Sequence, residues 1–239
     1  MLSAFALALL ADPPNEAATI SPVVVELFTS EGCSSCPPAD AVAAKLVALD
    51  RDDLLVLAYH VDYWDDLGWP DRFGSPEWTA RQRGYNRTLG TGRVYTPQII
   101  LGGADETVGS NRRGIMQTLS EQLRADRPDA LVVAAEVDGD VVTATLPPAP
   151  GEGSRLQTVL VQRTGRSAVK RGENAGRTLE HVNIVRALRS QPIEDGRIAE
   201  TTVRLPLPDD ATGEAFFVAA FAQRSDGQVT AAGVVDVER

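Results

Sequence analysis

The sequence predicts an α/β domain followed by a smaller β-rich domain of sandwich-like form. Two nearly continuous apolar runs, Val23–Phe28 and Leu54–Tyr59, flank a segment with helical periodicity, and this order is typical of a parallel β-α-β unit. Further along the chain, short β-type segments alternate with turn signals, which favours a sandwich-like arrangement. We therefore expect a first domain at residues 21–128, with an insertion at 62–95, and a β-rich domain at 129–239.

The composition is that of an acidic globular protein. Of its 239 residues, 43% are apolar and 23% are charged, and the formal net charge is -10. Nucleic acids and anionic membranes recruit clusters of Lys and Arg, so we expect neither as the main partner. The chain has only two cysteines, too few for a disulfide-scaffolded secreted domain.

Residues 1–20 predict an export signal and a lead-in segment. The apolar run at 2–11 is about as long as the core of a signal peptide and too short to span a bilayer. No Lys or Arg precedes it, which is atypical of such signals. We expect a periplasmic or secreted protein without an integral membrane span.

The first helix should begin directly after the cysteines. Pro37 and Pro38 stand where a helix tolerates proline, in its first turn, and Val42, Leu46 and Leu49 form an apolar stripe at helical spacing. We expect this helix to end near residues 50–53, before the second strand.

The rest of the first domain contains two more predicted helices and a hairpin. Ser75-Pro76-Glu77 predicts a capped helix start, with the helix running to about Leu89. Residues 96–101 and 106–108 predict a β-hairpin, and Ser110 or Asn111 should cap the next helix.

In the β-rich part, residues 131–137 and 141–146 predict a second hairpin. Further strands are expected at 157–162, 201–207, 215–223 and 229–237, with a helix near Ile184–Leu188.

Cys33 and Cys36 form a C-x-x-C pair at the predicted start of the first helix. A sulfur at this position is stabilised as a thiolate by free backbone N–H groups and the helix dipole. A disulfide that closes so short a ring adds little stability, which indicates a chemical role. We expect thiol–disulfide exchange with a protein or small-molecule thiol, in which Cys33 attacks and Cys36 resolves the mixed disulfide, without a cofactor.

Two other interpretations of the pair remain open. The sulfurs could form an inert structural disulfide, or they could hold a metal in a non-catalytic binding module or metallochaperone. A metal such as zinc needs further ligands, and the chain offers only His60 and His181 as histidines. Cu(I) suits two thiolates better.

Aromatic residues and His60 are the remaining candidates for the site. All tryptophans and tyrosines of the chain lie between positions 59 and 95, so Tyr63, Trp64 and Trp69 either contact substrate or cover the edge of the sheet. His60 follows the second strand, at the edge where the cysteine turn should lie, and can tune a thiol or simply form a structural hydrogen bond. His181 is expected to be structural.

The order of strand, C-x-x-C helix, strand, Thr-Pro, hairpin and final helix resembles the thioredoxin fold. The resemblance implies that Pro97, preceded by Thr96, is a cis-proline that packs against the cysteines. It also implies that Glu26 is the buried acid that exchanges protons with the buried cysteine. Ser34-Ser35 stands where thioredoxins have Gly-Pro, so the reduction potential does not carry over.

The chain more specifically resembles a bacterial family of predicted secreted proteins with a thioredoxin-like domain and no established function. The resemblance covers about residues 22–237 and is carried by the motifs at 26–40, 60–64, 67–69, 81–83, 94–98 and 172–178. The last motif, Gly172–Thr178, is either a loop that docks the two domains together or a solvent loop.

Overall fold

The computed structural model of the chain describes residues 19–210 and 213–238. Most of the predicted export signal, residues 1–18, lies outside this range. Within the described residues, no helix has the length and apolar character needed to cross a membrane.

The described residues form three α-helices and thirteen strands. The helices are α1 (Pro37–Val47), α2 (Pro76–Thr88) and α3 (Arg112–Arg124), and a 3-10 turn covers Asp65–Leu67. The strands are β1 (Val23–Thr29), β2 (Leu54–His60), β3 (Gln98–Leu101), β4 (Asp105–Val108), β5 (Ala134–Asp138), β6 (Val141–Leu146), β7 (Ala149–Pro150), β8 (Arg155–Ala168), β9 (Thr178–Pro192), β10 (Arg197–Ile198), β11 (Thr201–Pro206), β12 (Phe216–Gln223) and β13 (Val229–Val237).

One eight-stranded sheet runs through the molecule in the order β13-β12-β8-β9-β2-β1-β3-β4. The parallel pairing of β1 with β2 confirms the predicted β-α-β unit. β2 also pairs in parallel with β9. Strands from both sides of the proposed domain boundary at residue 128 therefore share one sheet, and a smaller sheet, β11-β6-β5, belongs to the C-terminal half.

The large sheet is covered on both faces. Apolar residues of α1 and α3 pack against one face of β1 and β3. Apolar residues of the small sheet form a second core with buried residues of β8 and β12. The opposite face carries an aromatic core in which α2 supplies Trp78 and Tyr85. A residue's position in the strand alternation thus determines whether it faces α1 or α2.

Local start signals placed two helices correctly. The Ser75 hydroxyl accepts a hydrogen bond from the Glu77 N–H at the start of α2, and Asn111 caps α3 through the Gly114 N–H. Both prolines lie in the first turn of α1. The helix ends at Val47, slightly earlier than expected, and Leu49 is exposed.

The predicted helix near Ile184–Leu188 is wrong. These residues lie in the long strand β9, which is hydrogen-bonded to β8 along almost its whole length. The buried side chains Ile184 and Val185 are β-branched and suit a strand between two neighbours. Tertiary pairing decided the conformation here.

Candidate functional site

The cysteine pair lies in the turn between β1 and α1, where it forms a disulfide. The Cα atoms of Cys33 and Cys36 are 5.4 Å apart. Cys36 is the N-cap residue of α1, and its backbone N–H donates to the Cys33 carbonyl. Both cysteines are fully buried, whereas Ser34 and Ser35 between them are exposed. The Ser35 hydroxyl lies 3.3 Å from the Cys33 sulfur.

Gly32, which precedes the first cysteine, allows Trp64 to pack closely against the turn. A Cβ atom at Gly32 would lie only 3.0 Å from the Cβ atom of Trp64. That distance is shorter than real Cβ contacts allow without a shift of the neighbour. The insertion therefore packs directly on the cysteine turn.

Trp64 also connects the turn to the Thr96-Pro97 segment. Its indole N–H donates to the Thr96 hydroxyl at 2.8 Å. The Thr96-Pro97 peptide bond is cis, as the thioredoxin resemblance implied. The Pro97 carbonyl accepts from the Gly109 N–H at 2.9 Å. Tyr63, the other aromatic candidate here, is half-buried and packs at the edge of the aromatic core on the α2 side.

The loop 172–176 lies against the cysteine turn. The side-chain amide of Asn174 donates to the carbonyls of Glu31 and Cys33, at 2.8 and 2.9 Å. The Glu173 carboxylate accepts from the Ser34 N–H at 2.9 Å, and this hydrogen bond lowers the pKa of Glu173. Of the two alternatives for this motif, these contacts favour a docking loop over a solvent loop. The surface that receives the loop is the cysteine turn itself.

Titratable side chains meet beside the turn, in what we call the acid–histidine cluster: the buried Glu31, His60, Asp71 and His181 and the half-buried Asp40. His60 Nδ1 lies 2.7 Å from an Asp71 carboxylate oxygen, which also accepts from the Glu31 N–H at 2.8 Å. His181 Nε2 lies 3.4 Å from a Glu31 oxygen. The two imidazole rings are 4.6 Å apart. The cluster thus joins the cysteine turn, α1, β2, the insertion and β9.

Trp69, from the insertion, contacts the cluster through Glu31. Its indole N–H donates to the second Glu31 carboxylate oxygen at 2.7 Å. Phe73 packs edge-on against the rings of His60 and His181. Trp69 and His60 are therefore brought together with the cysteine turn, and their polar groups bind protein side chains.

The charges of the cluster shift the pKa values of three members. Burial alone would lower the pKa of His60, but the charge and hydrogen bond of Asp71 raise it above its usual value. Burial would raise the pKa of Asp71, but the charge of His60 and three hydrogen bonds lower it below its usual value. Burial raises the pKa of Asp40, although both histidines and the Thr29 hydroxyl act against this effect. The cluster therefore combines the His60–Asp71 pair with a carboxyl, Asp40, whose pKa is raised.

Glu26 does not occupy the position expected for a proton-exchanging acid. Its neighbours Val25 and Leu27 pack with α1, so the Glu26 side chain points to the other face of the sheet. There it forms a two-pronged ion pair with Arg81, at 2.7 Å for both contacts, and accepts from the Tyr85 hydroxyl. The assignment of Glu26 as proton relay is thus corrected. It is a structural acid in the α2 interface.

Sequence reasoning missed four members of the cluster. His181 was expected to be structural, and Glu31, Asp40 and Asp71 were given no role. Glu31 and Asp40 stand inside the cysteine motif itself, which was the one local signal available. Nothing local indicates His181, because its position depends on the pairing of β9 with β2.

A zinc-type site needs three or more protein ligands. In the part of the chain that the structure describes, no group of three or more His, Cys, Asp or Glu side chains is arranged to hold a metal ion. Both sulfurs are joined in the disulfide.

Taken together, fold and site define a mixed α/β protein with a buried C-x-x-C disulfide at a helix N-terminus. The chain belongs to the family described as "Protein of unknown function (DUF1223)", whose family model matches residues 24–223.

Two solved structures are similar over nearly the whole chain. Protein AGR_C_4864 from Agrobacterium tumefaciens is 31% identical, with a TM-score of 0.65, over 92% of this chain and 95% of that one. HBP35 of Porphyromonas gingivalis is 16% identical, with a TM-score of 0.62, over 93% of this chain and 77% of that one, and this likeness concerns the fold alone. No curated protein matches the chain significantly.

Proposed function

We propose that this protein catalyses thiol–disulfide exchange through Cys33 and Cys36, on a thioredoxin-like arrangement and in an exported, periplasmic or secreted location. The observation that carries the proposal is the disulfide at the start of α1, with Cys36 as its N-cap. A thiolate released here is stabilised by the positive end of the helix dipole. The signal-like residues 2–11 support the location.

Cys33 is the sulfur that a partner should attack. It lies on the turn outside the helix, next to the exposed Ser34 and Ser35, and the Ser35 hydroxyl can donate to its thiolate. Cys36 lies at the helix start beneath them. Attack of a partner thiolate on Cys33 would break the S–S bond and release Cys36 as the leaving thiolate.

Access to Cys33 requires a local opening, because neither sulfur is exposed in the disulfide form. The hydrogen bond from the Ser34 N–H to Glu173 is solvent-exposed, so water or a partner carboxylate can replace it at low cost. The partner is a protein or small-molecule thiol or disulfide. We assign no cofactor to this reaction.

A trapping experiment tests the proposal. Cys36→Ser leaves Cys33 without its resolving partner, so mixed disulfides with partners should accumulate in periplasmic or culture extracts and be released by dithiothreitol. Cys33→Ser is the matched control and should trap far less. The wild-type protein should also reach a measurable redox equilibrium with glutathione buffers. A disulfide that is reduced only when the protein unfolds would overturn the proposal.

A further inference from the structure

The acid–histidine cluster contains an unusual number of buried polar atoms without hydrogen-bond partners. Among the described residues, these include His60 Nε2 and His181 Nδ1, while Glu31 Oε1 and His181 Nε2 face each other at 3.4 Å without forming a hydrogen bond. A buried polar atom left without a partner costs about 1–3 kcal/mol. A fold that needed only stability would fill this space with apolar side chains. The concentration of such atoms at one place therefore indicates a function for the cluster.

The cluster contacts the cysteine turn from two sides. Asp40 follows Cys36 by one turn of α1, and residues so spaced lie on the same side of a helix. The Thr29 hydroxyl donates to Asp40 at 2.8 Å and holds its carboxyl in place. On the other side, Asn174 binds the carbonyls of Glu31 and Cys33 together.

We propose that the acid–histidine cluster handles the proton of the buried cysteine, with Asp40 as the group that exchanges it with Cys36 and the two histidines as the groups that balance the charge. This inference rests on the proposed exchange reaction. It gives the C-terminal half a role in that reaction, because His181 comes from β9.

The step balances as follows for opening of the disulfide by a partner thiolate. The partner sulfur bonds to Cys33, the S–S bond breaks, and its electron pair leaves with Cys36 as a thiolate. The Asp40 carboxyl then transfers its proton to that thiolate and becomes a carboxylate. The two neighbouring histidines favour the charged form of Asp40 and so stabilise the new carboxylate. Closure of the disulfide runs the same transfers backwards.

The pKa of Asp40 is raised by burial, and this direction supports the assignment, because it moves the carboxyl toward the range in which it can exchange a proton with a thiol.

Other charged groups that face the cluster are few. The Asp71 N–H donates to the Asp65 carboxylate at 3.1 Å. The guanidinium groups of Arg72 and Arg186 lie over the Phe73 ring, 4.5 and 5.1 Å from its centre.

Imidazole titration by NMR tests the coupling directly, since the chain contains only two histidines. Each should be titrated in the oxidised protein and in the protein reduced by excess phosphine. If Asp40 gives up its proton when the disulfide opens, at least one histidine should titrate ~0.5 pH unit higher in the reduced form. Identical midpoints in the two redox states would overturn the proposal.

Asp40→Asn provides the matched variant. It keeps the size of the side chain and removes the exchangeable proton, so the redox difference in the histidine midpoints should disappear. Reduction by glutathione should slow by about 10-fold or more, because the carboxyl that supplies the proton is gone. The control is Asp53→Asn, which removes a carboxylate that pairs with Arg51 and Arg127. It should leave the histidine midpoints and the reduction rate unchanged.

A folding defect in Asp40→Asn would not end the test. His181→Asn removes the charge-balancing ring instead, and the remaining His60 signal should then show a smaller redox-dependent shift. An unchanged shift would contradict the proposal. The titration needs only chemical reduction, so it reports on the cluster even if exchange with biological thiols fails, and that failure would count against the proposed function alone.

Discussion

His60 and His181, the only histidines of the chain, lie with their rings 4.6 Å apart although they come from opposite halves of the sequence. Each is paired with a buried carboxylate, Asp71 for His60 and Glu31 for His181. The parallel pairing of β2 with β9 brings them together, next to the cysteine turn.

The His60–Asp71 pair should make stability depend on pH in two windows. The raised pKa of His60 means that its contribution is complete below its ordinary value of 6.5 and is lost as pH rises through the folded-state value. Asp71 has a lowered pKa, so its contribution is present above its ordinary value of 3.8 and is lost as pH falls through the folded-state value.

Urea unfolding between pH 2 and pH 9 measures this dependence in both windows. Above the ordinary His60 value, the free energy of unfolding should fall by at most about 1.4 kcal/mol per pH unit until the folded-state pKa is passed. His60→Asn should remove most of this fall, whereas Glu180→Gln, an exposed change next to His181, should keep it. A flat wild-type profile in this range would contradict the pairing.

The Glu26–Arg81 ion pair should be structural. Glu26 is 1% exposed, and Arg81→Met leaves its carboxylate buried without its charge partner. We expect a loss of about 3–5 kcal/mol in the free energy of unfolding. The equilibrium of the disulfide with glutathione should stay within about twofold of wild type under native conditions, because the pair faces α2. A large change in that equilibrium would return Glu26 to the redox site.

Asn174 should restrict access to the disulfide. Asn174→Ala removes two hydrogen bonds and leaves the buried carbonyls of Glu31 and Cys33 without this donor. We expect a loss of roughly 1–3 kcal/mol in stability and faster reduction of the disulfide by dithiothreitol. Arg177→Ala, which removes a contact to the Asn174 side chain but leaves both carbonyl contacts, is the control. Equal reduction rates for wild type and Asn174→Ala would rule out this role.

Alanine substitutions at Gly109 and Gly84 should change the stability of the protein in opposite directions. A Cβ atom at Gly109 would lie 2.8 Å from the Ala39 Cβ, 3.0 Å from Leu27 Cδ1 and 3.2 Å from the Pro97 Cβ. Gly109→Ala should therefore destabilise the protein by about 1–3 kcal/mol through crowding. Gly84 lies within α2 with open space around it, so Gly84→Ala should stabilise by about 0.5–1 kcal/mol. Thermal or urea unfolding of both variants measures the difference, and equal midpoints would contradict the packing at Gly109.

Features that depend on a few neighbouring residues were predictable. Ser75 and Asn111 cap helices because their side chains reach N–H groups two or three residues ahead. Apolar runs placed β1 and β2, and Pro37 after Cys36 marked the start of α1. The cysteine turn at a helix N-terminus is a local feature of this kind, so the sequence by itself determined it.

Which distant residues meet there was decided only by the tertiary structure. A buried Glu26 needs a charge partner. Which partner it meets depends on the face of the sheet to which its side chain points, and only the positions of α1 and α2 fix that face. His181 and Asn174 reach the cysteine turn because β9 is the neighbour of β2. Two strands become neighbours because of how whole sheet faces pack, and the residues involved are far apart in the chain. No short stretch of sequence therefore reveals which strands will pair.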